Sequence, residues 1–84
     1  MNLHGEGLDF YSIGITEIVV LPTSQLVGTR IKNSRLREDY SVNILGIRRD
    51  EEYIMEDLTE HRLRNGDILL VQGHWDKLLQ MNYE

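Results

Sequence analysis

The 84-residue sequence contains no cysteine and a single proline, Pro22. The lack of cysteine excludes disulfides, thiol catalysis and cysteine-ligated zinc, and it is compatible with a reducing compartment. No apolar run approaches the roughly 20 residues that a membrane-spanning helix needs, and no signal-peptide pattern is present. The sequence therefore predicts one small domain that depends neither on disulfides nor on a bilayer.

Basic residues are also few. The sequence has nine Lys and Arg residues and 14 Asp and Glu residues, which gives a net charge of -5. This balance argues against general nucleic-acid binding, which usually requires a basic domain. Six of the nine basic residues nevertheless lie between residues 30 and 49, where Glu38 and Asp39 are the only acids. We therefore expect an anion to bind near this cationic segment.

Four stretches are rich in the aliphatic and β-branched residues typical of strands: 15–21, 42–47, 53–55 and 68–71. In the second stretch, Val42 and Ile44 are predicted to face one side of the strand, and Leu45 and Ile47 the other. A strand that is apolar on both faces must be covered on both. We expect this central strand to be buried by the domain on one face and by a helix or a second subunit on the other.

Helical segments are predicted in two places. A short helix begins near Arg30 and includes a second turn from Leu36. Residues 74–81 place apolar side chains at helical spacing, which predicts an amphipathic helix packed on the sheet. These side chains are Trp75, Leu78, Leu79 and Met81.

The predicted order of elements is β-α-β-β-β-α, a small two-layer α+β domain in which helices cover a mixed sheet. This domain is assigned to residues 14–84. Residues 1–13 have no hydrophobic period and are interpreted as a linker or an added segment.

A set of residues spread over almost the whole chain has a characteristic spacing. It comprises Ile18-Val19-Val20 before Pro22, Leu36-Arg37 with Tyr40, Val42 to Leu45, Ile47 to Arg49, and Gly66-Asp67 followed by Leu69 to Val71 and Gly73. This spacing, over residues 13–81, resembles the TrkA-C domain, also called the RCK (regulator of potassium conductance) C-terminal domain. The chain departs from that family at Ser34 and Ser41, where leucine and glycine are common.

The resemblance implies a cytoplasmic, dimerising, ligand-sensing regulatory domain at the inner face of the cell membrane. Its partners would be a second copy of the chain and a membrane transport domain of the same or another chain, for potassium or another cation or for an anion carried with sodium. The alternative is a purely structural dimerisation domain without a ligand. An enzyme is not expected, because no serine or histidine has a nucleophile's partners at a recognisable spacing.

Some members of the family bind cyclic di-adenosine monophosphate (cyclic di-AMP) between two subunits. The resemblance assigns the recurring arginine and asparagine contacts of that site to Arg37 and Asn43. An arginine can form paired, charge-assisted hydrogen bonds with a phosphate, and an asparagine amide matches an adenine edge. A two-fold symmetric ligand also suits a two-fold symmetric dimer.

Two features of the sequence oppose this assignment. Family members that bind the dinucleotide use apolar residues and often a proline in the following loop, whereas residues 56–60 here are acidic and lack proline. Arg37 could instead pair with a neighbouring acid on the surface, and Asn43 could satisfy a turn at the end of the strand.

No metal site or resident cofactor is predicted. The three histidines, His4, His61 and His74, lie far apart without ligand spacing. The acidic residues between positions 50 and 60 are interpreted as a solvated loop face, with a hard cation such as calcium as the alternative.

Overall fold

The computed structural model describes residues 12–81, which include four strands in one sheet. The strands are β1 (Ile13–Val19), β2 (Asn43–Arg49), β3 (Glu52–Ile54) and β4 (Ile68–His74). Their spatial order is β1-β4-β2-β3, and every neighbouring pair is antiparallel. The segment interpreted as a linker, residues 1–13, lies almost entirely outside the described residues.

The helical elements of the described residues are two short α-helices and two single turns of 3-10 helix. The α-helices are α1 (Leu36–Tyr40) and α2 (Trp75–Met81), and the turns are Ile31–Asn33 and Leu58–Glu60. No helix within residues 12–81 is long and apolar enough to cross a membrane. The predicted α+β class and order of elements are confirmed.

The sheet differs from the expected mixed type because of where β4 lies. Strands β1 and β2 run in the same direction, with helical turns between them in sequence, which could have made them parallel neighbours. Instead β4 lies between them and pairs antiparallel with both. The hairpin that joins β2 to β3 adds a further antiparallel pair, so the four described strands form no parallel pair.

A β-bulge interrupts β2. Its pairing with β4 shifts between Ile44 and Gly46, so that Leu45 is an extra residue. An inserted residue shifts the alternation of side chains by one position. Ile44 and Ile47 consequently both face the core. The prediction that they face opposite sides is wrong, because the apolar pattern alone does not reveal an inserted residue.

The hydrophobic core lies between the sheet and the helical layer. Its buried side chains are Val20, Ile31, Leu36, Val42, Ile47, Leu63, Leu69, Val71, Leu78 and Met81. Helix α2 therefore packs on the sheet as predicted, but through only part of the predicted stripe. Trp75 is 43% exposed and Leu79 is 57% exposed.

Trp75 has a different role from the predicted core position. Its indole ring covers the backbone of Gly14 in β1, where an added Cβ would overlap the ring. The prediction that Trp75 and Leu79 belong to the buried face is wrong, because a helix this short turns only part of its apolar surface toward the sheet.

The carboxylate of Asp67 is the only buried charge among residues 12–81, and the ends of three strands meet at this residue. It accepts hydrogen bonds from Nε and Nη2 of Arg49, at the end of β2, at 2.9 and 2.8 Å. The backbone N–H of Arg64 donates a third, at 2.8 Å. The carbonyl of Asp67 also accepts a 2.8 Å hydrogen bond from Val20, directly after β1. Asp67 immediately precedes β4, so one residue connects β1, β2 and β4.

Opposing effects act on the ionisation of this pair. Burial alone would raise the pKa of the Asp67 carboxyl, but the hydrogen bonds from Arg49 and Arg64 and the positive charge of Arg49 lower that pKa below its usual value. The hydrogen bond to Asp67 raises the pKa of Arg49. Both groups therefore remain ionised at neutral pH.

The two adjacent leucines of α2 provide a matched test of the core. Leu78→Ala should lower the free energy of unfolding by about 2 to 5 kcal/mol, because Leu78 is 1% exposed. Leu79→Ala, at an exposed position, should lower it by about 0.5 kcal/mol or less. Urea unfolding followed by circular dichroism measures both. Equal losses would contradict the packing of α2.

Acid should remove the contribution of Asp67 to stability. Because the pKa of its carboxyl is lowered by folding, the contribution is present above the ordinary value of about 3.9 and is lost as the pH falls through the folded-state pKa. Asp67→Asn should cost roughly 3 to 5 kcal/mol at neutral pH.

The measurement is the free energy of unfolding between neutral and acidic pH, in which the Asp67→Asn protein should show the flatter profile. Asp57→Asn is the control, because Asp57 is exposed and its φ of 54° suits asparagine. Profiles of equal slope for the native and Asp67→Asn proteins would disprove that protonation of Asp67 causes the loss of stability in acid.

Candidate functional site

Arg37 and Asn43 lie on either side of the turn that joins α1 to β2. Arg37 is the second residue of α1, and Asn43 is the first residue of β2. They line one shallow depression, together with Glu38, Ser41 and Val42. The two residues assigned by the resemblance are therefore brought to the same surface by the fold.

The guanidinium of Arg37 is available to a ligand. Its side chain is exposed, and it makes no hydrogen bond or ion pair with any residue between 12 and 81. Asp39, an acid in the same helix, is paired with Arg35, whose Nη2 lies 3.2 Å from its Oδ1. The alternative in which a nearby acid neutralises Arg37 is therefore not what the structure shows.

Asn43 is exposed at the same edge of the sheet, and its amide has no hydrogen-bond partner in the described part of the chain. Its position is set by the residue before it, because Val42 is 3% exposed. Val42 packs over Gly73 of β4, where an added Cβ would lie 2.8 Å from Cγ1 of Val42. This contact anchors the start of β2 and directs Asn43 to the surface.

The turn between the two site residues contains a strained position. Ser41 ends α1 with φ 53° and ψ 45°, in the left-handed region that glycine occupies without steric cost. The family resemblance places a glycine at this position. The serine therefore holds this left-handed turn at some energetic cost.

Three of the six basic residues in the predicted cationic segment are neutralised by internal ion pairs. The ion pairs are Lys32–Glu60 at 3.2 Å, Arg35–Asp39 at 3.2 Å and Arg49–Asp67 at 2.8 Å. Arg48 lies on the opposite face of the sheet from the helices, next to the buried Ile47. Arg37 is therefore the cation that lines the depression, and the six basic residues do not form one patch.

A second depression lies at the turn between β2 and β3 and is lined by Asp50, Glu51 and Glu52. Within residues 12–81, no group of three or more histidine, cysteine, aspartate or glutamate side chains is arranged to hold a metal ion. The carboxylates of this turn are therefore not arranged as a metal site.

Arg49 has a structural role that the sequence pattern did not predict. It belongs to the cationic segment near which an anion was expected, but its guanidinium donates hydrogen bonds to Asp67 and, at 2.9 Å, to the carbonyl of Arg62. The sequence did contain a signal for this ion pair, because Asp67 is a single acid between the turn glycine Gly66 and the apolar strand β4. Such an acid becomes buried when the strand enters the sheet, and it then needs a positively charged partner.

Residues 15–82 match the TrkA-C domain family. Transporter sll0640 of Synechocystis is 38% identical over 65 residues, a match that covers 77% of this chain and 11% of the transporter. Transporter YfbS of Escherichia coli is 35% identical over 69 residues, which cover 82% of this chain and 11% of that protein. The chain thus spans about one tenth of the length of these relatives.

Solved structures share the fold. The RCK C domain of the potassium transport protein KtrA, in complex with cyclic di-AMP, superimposes with a TM-score of 0.75 and 28% identity over 93% of this chain and 94% of that domain. The RCK_C domain dimer of BusR from S. agalactiae, also in complex with cyclic di-AMP, has a TM-score of 0.73 and 20% identity, covering 82% of this chain and 91% of that one. The second comparison supports the fold alone.

Replacing the strained serine should stabilise the turn. A non-glycine residue in the left-handed region costs roughly 1 to 2 kcal/mol. Glycine avoids this cost, but it lowers the free energy of unfolding by roughly 0.4 to 1 kcal/mol because it gives the unfolded chain more conformational freedom. Ser41→Gly should therefore raise the free energy of unfolding by about 0.5 to 1 kcal/mol.

Ser34→Gly is the matched control for Ser41→Gly. Ser34 has φ -81°, and its hydroxyl donates to the Ile31 carbonyl at 2.7 Å and accepts from the Leu36 N–H at 3.3 Å. The same substitution should destabilise the domain there. Denaturant unfolding measures the free energy of unfolding of both variants. Destabilisation by Ser41→Gly would contradict the conclusion that the backbone of Ser41 is strained.

Proposed function

Because this chain belongs to the TrkA-C domain family, we propose that it is a cytoplasmic, dimerising regulatory domain of a membrane transport protein. The family is regulatory and not catalytic. Two relatives are transporters, and the match covers about 11% of each, as expected for a small module of a much larger protein. The transported species is a cation such as potassium, or an anion carried with sodium.

The ligand that we propose is cyclic di-AMP, bound between two copies of the domain. The observation that carries this proposal is that Arg37 and Asn43 lie in one depression and that neither side chain has a partner within residues 12–81. The guanidinium would donate paired hydrogen bonds to a phosphate, and the amide would contact an adenine edge. The KtrA domain, 28% identical over nearly the whole chain, was solved with the same dinucleotide.

Two-fold symmetry gives each half of the dinucleotide the same environment. Each of the two phosphates carries one negative charge, and the chain carries a net charge of -5. One Arg37 from each subunit would place a cation beside each phosphate. The ligand therefore requires the dimer, and either subunit alone would present half of the site.

Regulation would follow from the position of the ligand between subunits. A ligand shifts a conformational equilibrium only by the difference in its affinity for the two states. A dinucleotide that contacts both subunits favours the arrangement in which both Arg37 side chains reach it. The relative orientation of the two domains would then be transmitted to the attached transport domain.

The alternative, a structural dimerisation domain without a ligand, also has an observation in its favour. The loop at residues 56–60 exposes Glu56, Asp57 and Glu60, and of these Glu60 is paired with Lys32 at 3.2 Å. Unpaired carboxylates near a phosphate would oppose binding. The two functions differ in whether the folded dimer takes up the dinucleotide.

Calorimetric titration with cyclic di-AMP tests the ligand. Arg37→Ala should weaken binding by a factor of about one hundred or more, because each lost charged hydrogen bond costs roughly 1.5 to 3 kcal/mol and the dimer loses two. Asn43→Ala should have a smaller effect and should reduce the preference for adenine over guanine dinucleotides.

Arg64→Ala serves as the control, because this exposed arginine precedes β4 at the end of the sheet opposite Asn43. It should leave binding unchanged. Absence of heat from the native protein at about 100 μM, with a folded dimer confirmed by sedimentation, would refute the ligand and leave the structural dimer.

A further inference from the structure

The face of the sheet turned away from the helices, called the outer face, is uncovered within residues 12–81. On β1 this face carries every second residue from Ile13 to Val19, and all four of these residues are exposed. The apolar side chains of the outer face are Ile13, Ile15 and Val19 of β1, Tyr53 of β3, and Ile68 and Leu70 of β4. A contiguous apolar surface of this kind indicates a site of protein association.

The central strand β4 is apolar on both faces. Leu69 and Val71 are fully buried in the core, whereas Ile68 and Leu70 lie on the outer face and are only half-buried. A strand that is apolar on both faces is normally covered on both. The helical layer covers one side of β4, and the described residues provide no equivalent cover for the other side.

Two opposite charges stand on this apolar surface, one on each side of β4. Glu17 of β1 lies opposite Leu70, and Arg48 of β2 lies opposite Ile68. Neither side chain forms an ion pair or hydrogen bond within residues 12–81. Nε of Arg48 is buried and lacks a hydrogen-bond partner there. Buried donors are normally satisfied, so this arginine requires an acceptor from outside these residues.

We propose that an amphipathic helix from another part of the parent protein packs along β4 on the outer face, with an acidic side chain at Arg48 and a basic side chain at Glu17. This inference rests on the proposed function in one respect, because it takes the helix from the transport protein to which the domain is attached. It concerns the side of the sheet opposite the helical layer.

The spacing of the two charges matches the dimensions of a helix. Strands β1 and β2 lie two strand spacings apart, or roughly 10 Å, which is close to the diameter of a helix with its side chains. Along the strands, Glu17 and Arg48 are two residues apart in register, or roughly 7 Å. Helical residues about five positions apart differ by this rise and lie roughly 140° apart around the axis. An acid and a base at that spacing flank an apolar stripe.

The size of the outer face favours a helix from the same protein over a free partner. The three long strands measure roughly 24 by 14 Å, so a helix on them would bury about 700 Å² in total, counting both surfaces. Stable complexes bury more, roughly 1,200 Å² or above. A tethered helix has an effective concentration near the millimolar range, at which a small interface is still occupied.

The source of the helix follows from its length. Covering the 7 residues of β4 takes a helix of about 16 residues, and residues 1–11 are too few to supply it. The match covers only 11% of each transporter relative. A parent protein of similar length would have many further segments from which the helix could come.

Two other occupants fit the outer face less well. The proposed ligand site requires a second copy of the chain beside Arg37 of α1, which leaves the outer face free in that dimer. A membrane surface is disfavoured because Glu17 lies within the apolar surface and the chain has a net charge of -5. Both negative charges would be repelled by anionic lipids.

Nuclear magnetic resonance titration of the full chain with three designed helical peptides of about 18 residues tests the docking. All three share one leucine stripe. The mixed peptide carries glutamate on one flank and lysine five residues away on the other, the acidic peptide carries glutamate at both positions, and the basic peptide carries lysine at both. The native protein should bind the mixed peptide at least fivefold more tightly than either of the others. The methyl groups of Ile15 and Ile68 should shift, and that of Ile31, buried under the helical layer, should not.

Substitutions of the two charges should change which peptide binds best. Glu17→Lys makes both charges positive and should transfer the preference to the acidic peptide. Asp76→Lys gives the same net charge but alters α2, on the other side of the sheet, and should keep the preference for the mixed peptide. Arg48→Glu should transfer the preference to the basic peptide. Glu17→Lys alone decides the outcome if Arg48→Glu fails to fold, because Glu17 is exposed.

Three results would overturn the docked helix. The first is the same order of peptide affinities in the native and Glu17→Lys proteins. The second is nuclear Overhauser contact between residues 1–11 and the Ile15 methyl group in the free chain, and the third is a shift of that methyl group with protein concentration alone. Cyclic di-AMP titration is a separate measurement. Uptake of the dinucleotide without peptide binding would overturn the helix and keep the proposed ligand, and the reverse result would overturn the ligand and keep the helix.

Discussion

The bidentate ion pair between Arg49 and Asp67 is the constraint on which the rest of the sheet depends. It is nearly inaccessible to water on the Asp67 side and fixes the end of β2 against the start of β4. Removing a carboxylate from water is costly unless its oxygens are satisfied, and here three donors satisfy them. A shifted register would leave this carboxylate buried without donors, so the pair opposes alternative pairings of the two central strands.

From that anchored end, the register determines where the proposed ligand residue of β2 lies. The bulge at Leu45 lets Ile44 and Ile47 both reach the core, and the strand then begins with Val42 buried and Asn43 exposed. A β2 strand without the bulge would turn either Ile44 or Ile47 away from the core. The proposed ligand residue is thus positioned by packing at the far end of the same strand.

The charge distribution explains how an acidic domain could accommodate the proposed anionic ligand. Internal ion pairs occupy Lys32, Arg35 and Arg49. Arg37 has no such partner among residues 12–81 and lies at a depression. Arg48 has none among the same residues and lies on the face of the sheet turned away from the helices. A chain this small buries only roughly 60% of its unfolded surface. Surfaces that the domain cannot cover itself are therefore suited to a second subunit and a ligand.

The sequence by itself determined the class of the domain, its order of elements, its family, and the local strand and helix signals. These features depend on short-range information: side-chain alternation, turn residues and spacing along the chain. It also indicated Arg37 and Asn43 through the family resemblance, which the fold brings to one surface. Membership of the TrkA-C family is confirmed by the match over residues 15–82.

Only the tertiary structure decided which strands are neighbours, which charges are paired and which apolar side chains are covered. Arg49 and Asp67 are 18 residues apart, and neither residue's neighbours in sequence reveal the pairing. Leu78 and Leu79 are identical and adjacent, yet one is buried and the other exposed. Burial and ion pairing depend on contacts between segments distant in the chain, and those contacts exist only once β4 has entered the sheet between β1 and β2.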